Sequence, residues 1–532
     1  MMTTSCIRTT YPQKWLPIFE NHLKRTVWST QKRNRHARYG MSSLEQVPKL
    51  SPLQATSILQ ANEKTYEVGK GVDAPKMGEP AKAINVLKSI DWNQLASNNP
   101  LEDSLAIARL FDNKSYLLGV FDGHGGPACA KVLAKRLLSY IAVSLPSQQI
   151  TNRLIEQMTP TAKFREEVEG LYNYEFNQYH ASVSHLRDAL SSNDESQSSI
   201  ESVERALLTA FEAVDQQLSE EALAFLLGPE MSEIIQRVPR WDWKPWWGDD
   251  FKNRSKILQL STLSAAMSGA VASVAHISSN NIVLANTGDC QAVLGYMSED
   301  GTWGARKLGR EHTSENQAEV ERLYSEHPHT ERDTVLRMDR LLGQLMPLRA
   351  FGDFRFKWPR HVLENYVSPV VGESALPPHY KTPPYLSARP EIVHHSLSPR
   401  DKFLVIASDG LWDLLSPTQV VRLVGEHMGG RVALGPLTLP PGDVTLNEIN
   451  DMLHQRREGL SKRPLDTNAA THLMRHALGS TETGLDAGRL SELLSLPDDV
   501  VRLFRDDITI IVAYFDTDYL LKSLPSANSG TV

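Results

Sequence analysis

The chain has 532 residues, of which 41% are hydrophobic, and a formal net charge of −7. Such a chain buries a large core, either as one elaborated domain or as two smaller ones. Its 56 lysines and arginines nearly balance 63 aspartates and glutamates, which gives no indication of nucleic-acid binding. Three well-separated cysteines indicate neither a disulfide framework nor a zinc cluster, and they favour a reducing compartment.

Residues 1–43 differ from the rest because they are basic and rich in hydroxyl groups, with Glu20 as their one acid. This composition is typical of a mitochondrial presequence, although it leaves the cleavage site open. A disordered basic tail is the alternative. No run reaches the roughly 18 apolar residues of a membrane span, so a soluble protein of the mitochondrial matrix is expected.

Short apolar runs predict buried strands, and two longer amphipathic patterns predict helices. A hairpin is expected around residues 286–289, whose residue types suit a turn. The first helix is expected to begin at Pro127. The second covers residues 201–227. The predicted strands are residues 116–121, 282–285, 292–296, 403–407 and 508–515.

Polar or Pro/Gly-rich stretches interrupt these elements near residues 150–200, 228–256, 358–390 and 429–467. Acidic motifs that are expected to form one site lie on both sides of these stretches. We therefore expect insertions within one domain of residues 52–516, followed by a tail of residues 517–532. One insertion holds a tryptophan cluster for which packing onto its own domain is favoured over a partner interface: Trp241, Trp243, Trp246 and Trp247.

Four strand-like runs each have an aspartate at one end: Asp122, Asp289, Asp409 and Asp506. Neighbouring antiparallel strands bring the end of one and the start of the next to one edge, so Asp122, Asp409 and Asp506 are expected to converge. Crowded carboxylates need cations, and oxygen-only ligands favour magnesium or manganese. Two such ions would activate a water for attack on phosphorus. Asp289 sits where a turn favours aspartate, so a structural role is expected for it.

Glycines follow two of these aspartates, at Gly123 and Gly410, where the absent side chain lets backbone and water approach. The Gly123 carbonyl is a candidate ligand. His124 is a candidate general acid for the leaving alkoxide, with a hydrogen-bonding role beside the site as the alternative. Asp507 is expected to point away from Asp506 because side chains alternate in extended backbone.

A dinucleotide-binding module is the rival from another class, because residues 123–128 fit a relaxed GxGxxA pattern between a strand and a helix. It is disfavoured. No acidic residue follows a second strand at about 20 residues, and Asp122 would repel a pyrophosphate.

Six motifs occur in the order found in the type 2C metal-dependent protein phosphatases, which the chain resembles over residues 52–516. They are residues 121–126, 268–270, 286–289, 351–353, 407–413 and 505–509. The resemblance implies an α+β fold, a four-layer α-β-β-α sandwich of two mixed, largely antiparallel sheets with a dinuclear metal site at one edge. It also implies a protein serine/threonine phosphatase.

Residue by residue, the resemblance implies that Asp122 bridges two Mg²⁺ or Mn²⁺ ions and that the Gly123 carbonyl binds one. Asp409 and Asp506 complete the set of metal ligands, and of the adjacent pair Asp506 rather than Asp507 is the ligand. Glu102 is expected to hold a metal-bound water. Asp353 and Asp413 are expected either beside the ligands or as strand-end caps.

Three positions depart from the family pattern. Asn98 stands where relatives carry an arginine that grips the substrate phosphate, which leaves Asn98 as a weak candidate for that role. Ala266 replaces an aspartate associated with a third ion, so no third ion is expected. Gln291 replaces an arginine of structural role.

The presequence and further stretches, including residues 96–103 and 468–473, resemble the pyruvate dehydrogenase phosphatases of this family. That resemblance implies a phosphoserine substrate on the pyruvate dehydrogenase component and docking to the lipoyl domain of the acetyltransferase core. The same resemblance also suggests stimulation by calcium and a regulatory subunit. The alternatives are other mitochondrial phosphoproteins as substrates, or a catalytically weak docking homologue.

Overall fold

The computed structural model describes residues 50–68, 85–110, 114–145, 200–228, 262–435, 437, 439, 444–498 and 500–522. The predicted presequence, the tryptophan cluster and nearly all of the insertions near 150–200 and 228–256 lie outside these residues. So does the tail beyond Lys522. Within the described part, no helix is both long and apolar enough to cross a membrane.

The described strands form two six-stranded sheets in which every neighbouring pair is antiparallel, and one short ribbon. In chain order they are β1 (Lys64–Glu67), β2 (Leu87–Leu95), β3 (Ser104–Arg109), β4 (Tyr116–His124), β5 (Gly269–Ser278), β6 (Asn281–Thr287), β7 (Gln291–Met297), β8 (Trp303–Leu308), β9 (Leu336–Arg337), β10 (Arg340–Leu341), β11 (Phe351–Gly352), β12 (Glu391–Ser396), β13 (Asp401–Ala407) and β14 (Ile508–Phe515).

The first sheet has the order β1-β2-β14-β13-β7-β8, and the second has the order β12-β6-β5-β4-β3 with β11 beside β5. Strands β9 and β10 form the ribbon. Residues on both faces of β4, β5 and β14 are buried. Burial on both faces explains why these strands are continuous apolar runs rather than alternating ones.

The α-helices of the described residues are α1 (Pro52–Gln60), α2 (Ala128–Ser144), α3 (Ile200–Leu227), α4 (Thr262–Met267), α5 (Gln317–Glu326), α6 (Arg332–Val335), α7 (Arg360–Val362), α8 (Ser368–Val371), α9 (Asp409–Trp412), α10 (Pro417–Met428), α11 (Leu446–Ser461), α12 (Ala469–Gly479), α13 (Ala487–Leu494) and α14 (Thr517–Lys522). Single 3-10 turns occur at His329–Glu331, Phe354–Phe356, Glu373–Ala375 and Val501–Leu503, and a π turn at Leu363–Val367.

Helices cover the outer face of each sheet. Helix α2 packs on β3, β4 and β5 with α3 against it, while α10 packs on β7 and β8 and α12 on β2 and β14. Strand β4 contacts β13 and β14 across the interior. These contacts give helix, sheet, sheet and helix layers, which confirms the predicted α+β sandwich of largely antiparallel sheets.

The expected strands and helices are present, but the predicted hairpin is wrong. Strand β6 belongs to the second sheet and β7 to the first, so the turn between them crosses from one sheet to the other. Gly288 has a φ of +96° there, and a Cβ on it would lie 2.1 Å from Val271 Cγ1. Apolar periodicity identified both strands without identifying their partners. The crossing places Asp289 between the two sheets.

Candidate metal centre

The aspartates predicted to converge reach the centre from both sheets. Asp409 follows β13 and Asp506 precedes β14, and the pairing of Ala407 with Ile510 puts these two chain segments at one edge of the first sheet. Asp122 lies near the end of β4, in the facing sheet. The predicted convergence therefore depends on stacking of the sheets as well as on neighbouring strands.

The pKa values of these carboxyl groups depend on one another, which makes them one electrostatic cluster. Burial raises the pKa of Asp122 well above its ordinary value, and Asp103, Asp409 and Asp289 raise it further. Burial also raises the pKa of Asp409 well above its ordinary value, with added contributions from Asp289 and Asp506. Such groups bind protons or cations far more readily than separate surface carboxylates do.

Two members of this cluster were not predicted as site residues. Burial and then Asp507 raise the pKa of Asp103 to about 7, and its buried Oδ2 atom has no hydrogen-bond partner among the described residues. Burial raises the pKa of Asp289 to about 6, against the lowering effect of His124. Asp103 lies directly before β3, as Asp506 lies shortly before β14, so the strand-end criterion applied to all runs would have found it.

The loop before β3 is anchored by Asp507, whose side chain is 2% exposed. One carboxylate oxygen accepts from the backbone N–H groups of Ser97 and Asn98, and the other accepts from Asn98 Nδ2 and the Glu102 N–H, both at 2.9 Å. Asp506 is 40% exposed and faces Arg502 instead. The two neighbouring aspartates thus point to different surroundings, as alternation predicted.

Glycine is required at two places where the backbone of one element touches another. A Cβ on Gly123 would lie 2.3 Å from the Glu102 carbonyl oxygen, and one on Gly410 would lie 2.0 Å from the Asp507 carbonyl oxygen. The close approach expected at these glycines is therefore made by the segments that carry Glu102 and Asp507. Larger residues would push these segments away from the centre.

His124 is paired with Asp353 beside the carboxylate cluster. Its Nε2 lies 2.6 Å from Asp353 Oδ2. Burial lowers the pKa of His124, but the Asp353 carboxylate, together with Asp289 and Glu102, raises it by more, so that the pKa is raised overall. Gly269 makes room for the pair, because a Cβ there would lie 2.1 Å from the His124 Nε2 atom and 2.3 Å from Asp353 Oδ2.

The backbone around Asp353 is held in an unusual conformation by distant residues. Asp353 has a left-handed backbone with φ 48°, and its N–H donates to the Ser268 carbonyl at 2.9 Å. The preceding Gly352 N–H donates to Asp215 on α3 at 2.9 Å. Lys357 Nζ lies 2.8 Å from both Asp215 carboxylate oxygens. No sequence signal pointed to Asp215 or Lys357, because they are far from this turn in the sequence.

The remaining predicted residues lie around the rim of the cluster. Burial raises the pKa of Glu102, against the lowering effect of Arg502, whose Nη1 lies 3.1 Å from Glu102 Oε2. Both ends of the Asn98 side-chain amide have partners, since the nitrogen donates to Asp507 and the oxygen accepts from Arg502. The Asp413 N–H donates to the Asp409 carbonyl at 2.8 Å, and the Asp413 carboxylate contributes to the raised pKa of Asp409.

The donor set of this centre consists of oxygen atoms, which suits hard divalent cations. Within the described ranges, no three His, Cys, Asp or Glu side chains form a ready-made group for holding an ion. Further oxygen ligands, from water or main-chain carbonyls, would be needed. A dinucleotide site does not fit, because the strands on either side of β4 are antiparallel to it and no parallel crossover unit is present there.

Comparisons with known proteins identify the family of this chain. The family model for protein phosphatase 2C matches residues 174–434. Mitochondrial pyruvate dehydrogenase (acetyl-transferring) phosphatase 1 of Homo sapiens is 38% identical over 88% of this chain and 83% of its own length. The human phosphatase 2 of that name is 36% identical over 88% and 84%, and the Saccharomyces cerevisiae phosphatase 1 is 28% identical over 80% and 68%.

A solved serine-threonine phosphatase 2C from Toxoplasma gondii aligns over 85% of this chain and 99% of its own, with a TM-score of 0.40 and 13% identity. The identity and coverage of the human relatives establish the family. This chain belongs to the protein phosphatase 2C family of metal-dependent protein phosphatases.

Proposed function

We propose that the carboxylate cluster holds two Mg²⁺ or Mn²⁺ ions, with Asp122 shared between them. Asp409, Asp506 and the Gly123 carbonyl are the other protein ligands, and Glu102 and Asp413 position water around them. The observation that carries this proposal is the raised pKa of Asp122 and Asp409 within one buried group of carboxylates. When bound, such ions supply Lewis-acid activation of water for attack on a phosphate ester.

The proton for the departing serine oxygen is assigned to His124. The raised pKa of the imidazole keeps it protonated at pH values where a free histidine is neutral, and Asp353 holds the ring in place. Asp353 is therefore a positioning residue for His124 in this proposal, rather than a residue that holds water at the metals. The Asn98 side-chain amide bonds both Asp507 and Arg502, so its role in this proposal is to position Arg502.

The substrate that we propose is phosphoserine on the pyruvate dehydrogenase component, in the mitochondrial matrix. The support is the 38% identity over most of the chain to phosphatases named for that enzyme and for mitochondria. The basic composition of residues 1–43 agrees with import. Docking to the lipoyl domain, calcium stimulation and a regulatory subunit belong to the same proposal.

The test is phosphate release from phosphorylated pyruvate dehydrogenase complex, with magnesium, manganese or no added metal. Metal-dependent release that is faster than from an unrelated phosphoserine protein is expected. Activity on other mitochondrial phosphoproteins, with none on this complex, would reject the substrate but keep the chemistry. No release from any phosphoprotein would identify a docking homologue without phosphatase activity.

A further inference from the structure

Arg502 occupies an unusual position at the rim of the carboxylate cluster. It lies in the 3-10 turn Val501–Leu503, four residues before Asp506. Its Nη1 atom donates to Asn98 Oδ1, lies 3.1 Å from Glu102 Oε2 and lies 3.7 Å from Asp506 Oδ1. Even so, 48% of its side chain remains exposed. A guanidinium group thus contacts the rim and faces solvent at once.

The other side of this guanidinium group donates to none of the described residues. Each hydrogen bond and ion pair that Arg502 makes with the described residues leaves from Nη1. An arginine presents its N–H groups in a rigid planar fork that matches two oxygens of a phosphate. The Nε and Nη2 edge therefore has the donors required for bidentate binding of an anion.

An arginine side chain is charged at all ordinary pH values, and the surroundings fix the direction of Arg502. Asn98 links Arg502 to Asp507, because the Asn98 amide nitrogen donates to Asp507 and the amide oxygen accepts from Arg502. Asp507 is itself fixed by the backbone of the loop before β3. The guanidinium is thus oriented by a chain of contacts rather than left as a mobile surface charge.

Divalent ions on the carboxylate cluster would attract a phosphate dianion without fixing its orientation, whereas a planar guanidinium group at the rim can hold two of its oxygens in a set geometry. We propose that Arg502 binds the phosphate oxygens of the phosphoserine substrate through its Nε and Nη2 edge, with Asn98 as the residue that positions it. This inference rests on the proposed function. It assigns the gripping role to a residue that Asn98 contacts rather than to Asn98 itself.

The decisive variants are Arg502→Gln, which removes the charge, and Arg502→Lys, which keeps the charge but loses the fork. The probes are orthophosphate binding by calorimetry, Mn²⁺ binding by calorimetry, and kcat and KM for a phosphoserine peptide. We expect R502Q to weaken orthophosphate binding and to raise KM by about ten- to a hundredfold, the range for a lost hydrogen bond to a charged group. R502K is expected to fall between R502Q and the wild type.

An exchange variant and a control variant distinguish phosphate binding by Arg502 from a purely structural role of this residue. Because Asn98 and Arg502 are in contact, the exchange variant Asn98→Arg with Arg502→Asn places a guanidinium group in the same space from the other side. It is expected to recover phosphate affinity that R502Q lacks. Arg400→Gln is the matched control, since Arg400 pairs with exposed Glu299 at the far end of β13 from Asp409. It is expected to leave all three readouts unchanged.

The inference is overturned if R502Q binds orthophosphate as the wild type does. It is equally overturned if R502Q loses Mn²⁺ binding, because Arg502 would then organise the carboxylates rather than the phosphate. A wild-type protein that binds Mn²⁺, and binds orthophosphate through Arg502, but hydrolyses no phosphoserine peptide would overturn the proposed function while upholding the anion site.

Discussion

His124 Nε2 and Asp353 Oδ2 lie 2.6 Å apart, and this carboxylate raises the pKa of the imidazole although burial lowers it. His124 ends β4 and Asp353 directly follows β11, and since both strands pair with β5, the two residues meet at Gly269. A proton held at Nε2 is thereby retained to higher pH than in a free histidine. The pair gives the proposed general acid both its charge and its orientation.

Replacing Asp353 by Asn is expected to lower the pKa of His124 and so to move the alkaline limb of the kcat profile to lower pH. The measurement is kcat against pH for a phosphoserine peptide at saturating Mn²⁺. Asp401→Asn is the matched control, because Asp401 Oδ2 lies 3.1 Å from His395 Nε2 at the far end of β13. A profile that D353N leaves in place would exclude His124 as the proton donor.

Adding a methyl group at Gly269 is expected to break the His124–Asp353 pair, because the Cβ would lie within 2.3 Å of both partners. Gly269→Ala should lower kcat by about 10²- to 10⁴-fold, the usual range for a lost general acid. Mn²⁺ affinity should persist. Gly435→Ala is the control, since the nearest atom to its Cβ lies at 3.9 Å. Wild-type kcat in folded G269A would refute the importance of the pair.

The neighbours Asp506 and Asp507 are expected to respond differently to substitution. Asp507→Asn should lower the free energy of unfolding of the metal-free protein by about 1–3 kcal/mol, because this buried carboxylate accepts four hydrogen bonds from the loop before β3. Asp506→Asn, at a 40% exposed side chain, should leave stability near that of the wild type and weaken Mn²⁺ binding. Urea denaturation measures the first effect and calorimetry the second. The reverse pattern would exchange the roles assigned to these residues.

Parts of this arrangement were accessible from sequence and parts were not. Both ends of strand β14 were predicted correctly, because a continuous apolar run between polar residues has few alternative secondary structures. The hairpin at residues 286–289 was predicted wrongly, because apolar runs carry no information about which sheet each strand joins. Asp215 and Arg502 went unnoticed for the same reason. Their partners, Gly352 and Asn98, become neighbours only when the sheets and helices pack.

The pH dependence of metal-free stability follows from the raised pKa of Asp103, about 7 against an ordinary value of 3.8. A carboxyl group whose pKa is higher in the folded than in the unfolded protein stabilises the fold at pH values below the unfolded-state pKa. This stabilisation is lost as the pH rises through the folded-state pKa. Asp103→Asn, which stays neutral, should therefore raise the melting temperature relative to the wild type more at pH 8 than at pH 5. Scanning fluorimetry without metal tests this.

Stabilisation of the fold by Mn²⁺ should also depend on pH, because the cations replace protons on the carboxylate cluster. The rise in melting temperature on adding Mn²⁺ to the wild type is expected to be larger at pH 8 than at pH 5. An equal rise at both pH values would mean that the ions bind elsewhere than at the carboxylates with raised pKa.

The most direct measurement is Mn²⁺ binding and phosphoserine-peptide hydrolysis by Asp122→Asn, beside Asp300→Asn as a control in an exposed turn. We expect D122N to fold, to bind Mn²⁺ much more weakly than the wild type and to lose at least about a hundredfold in kcat, while D300N matches the wild type. Wild-type binding and turnover by D122N would contradict the assignment of this carboxylate cluster as the metal-dependent catalytic centre.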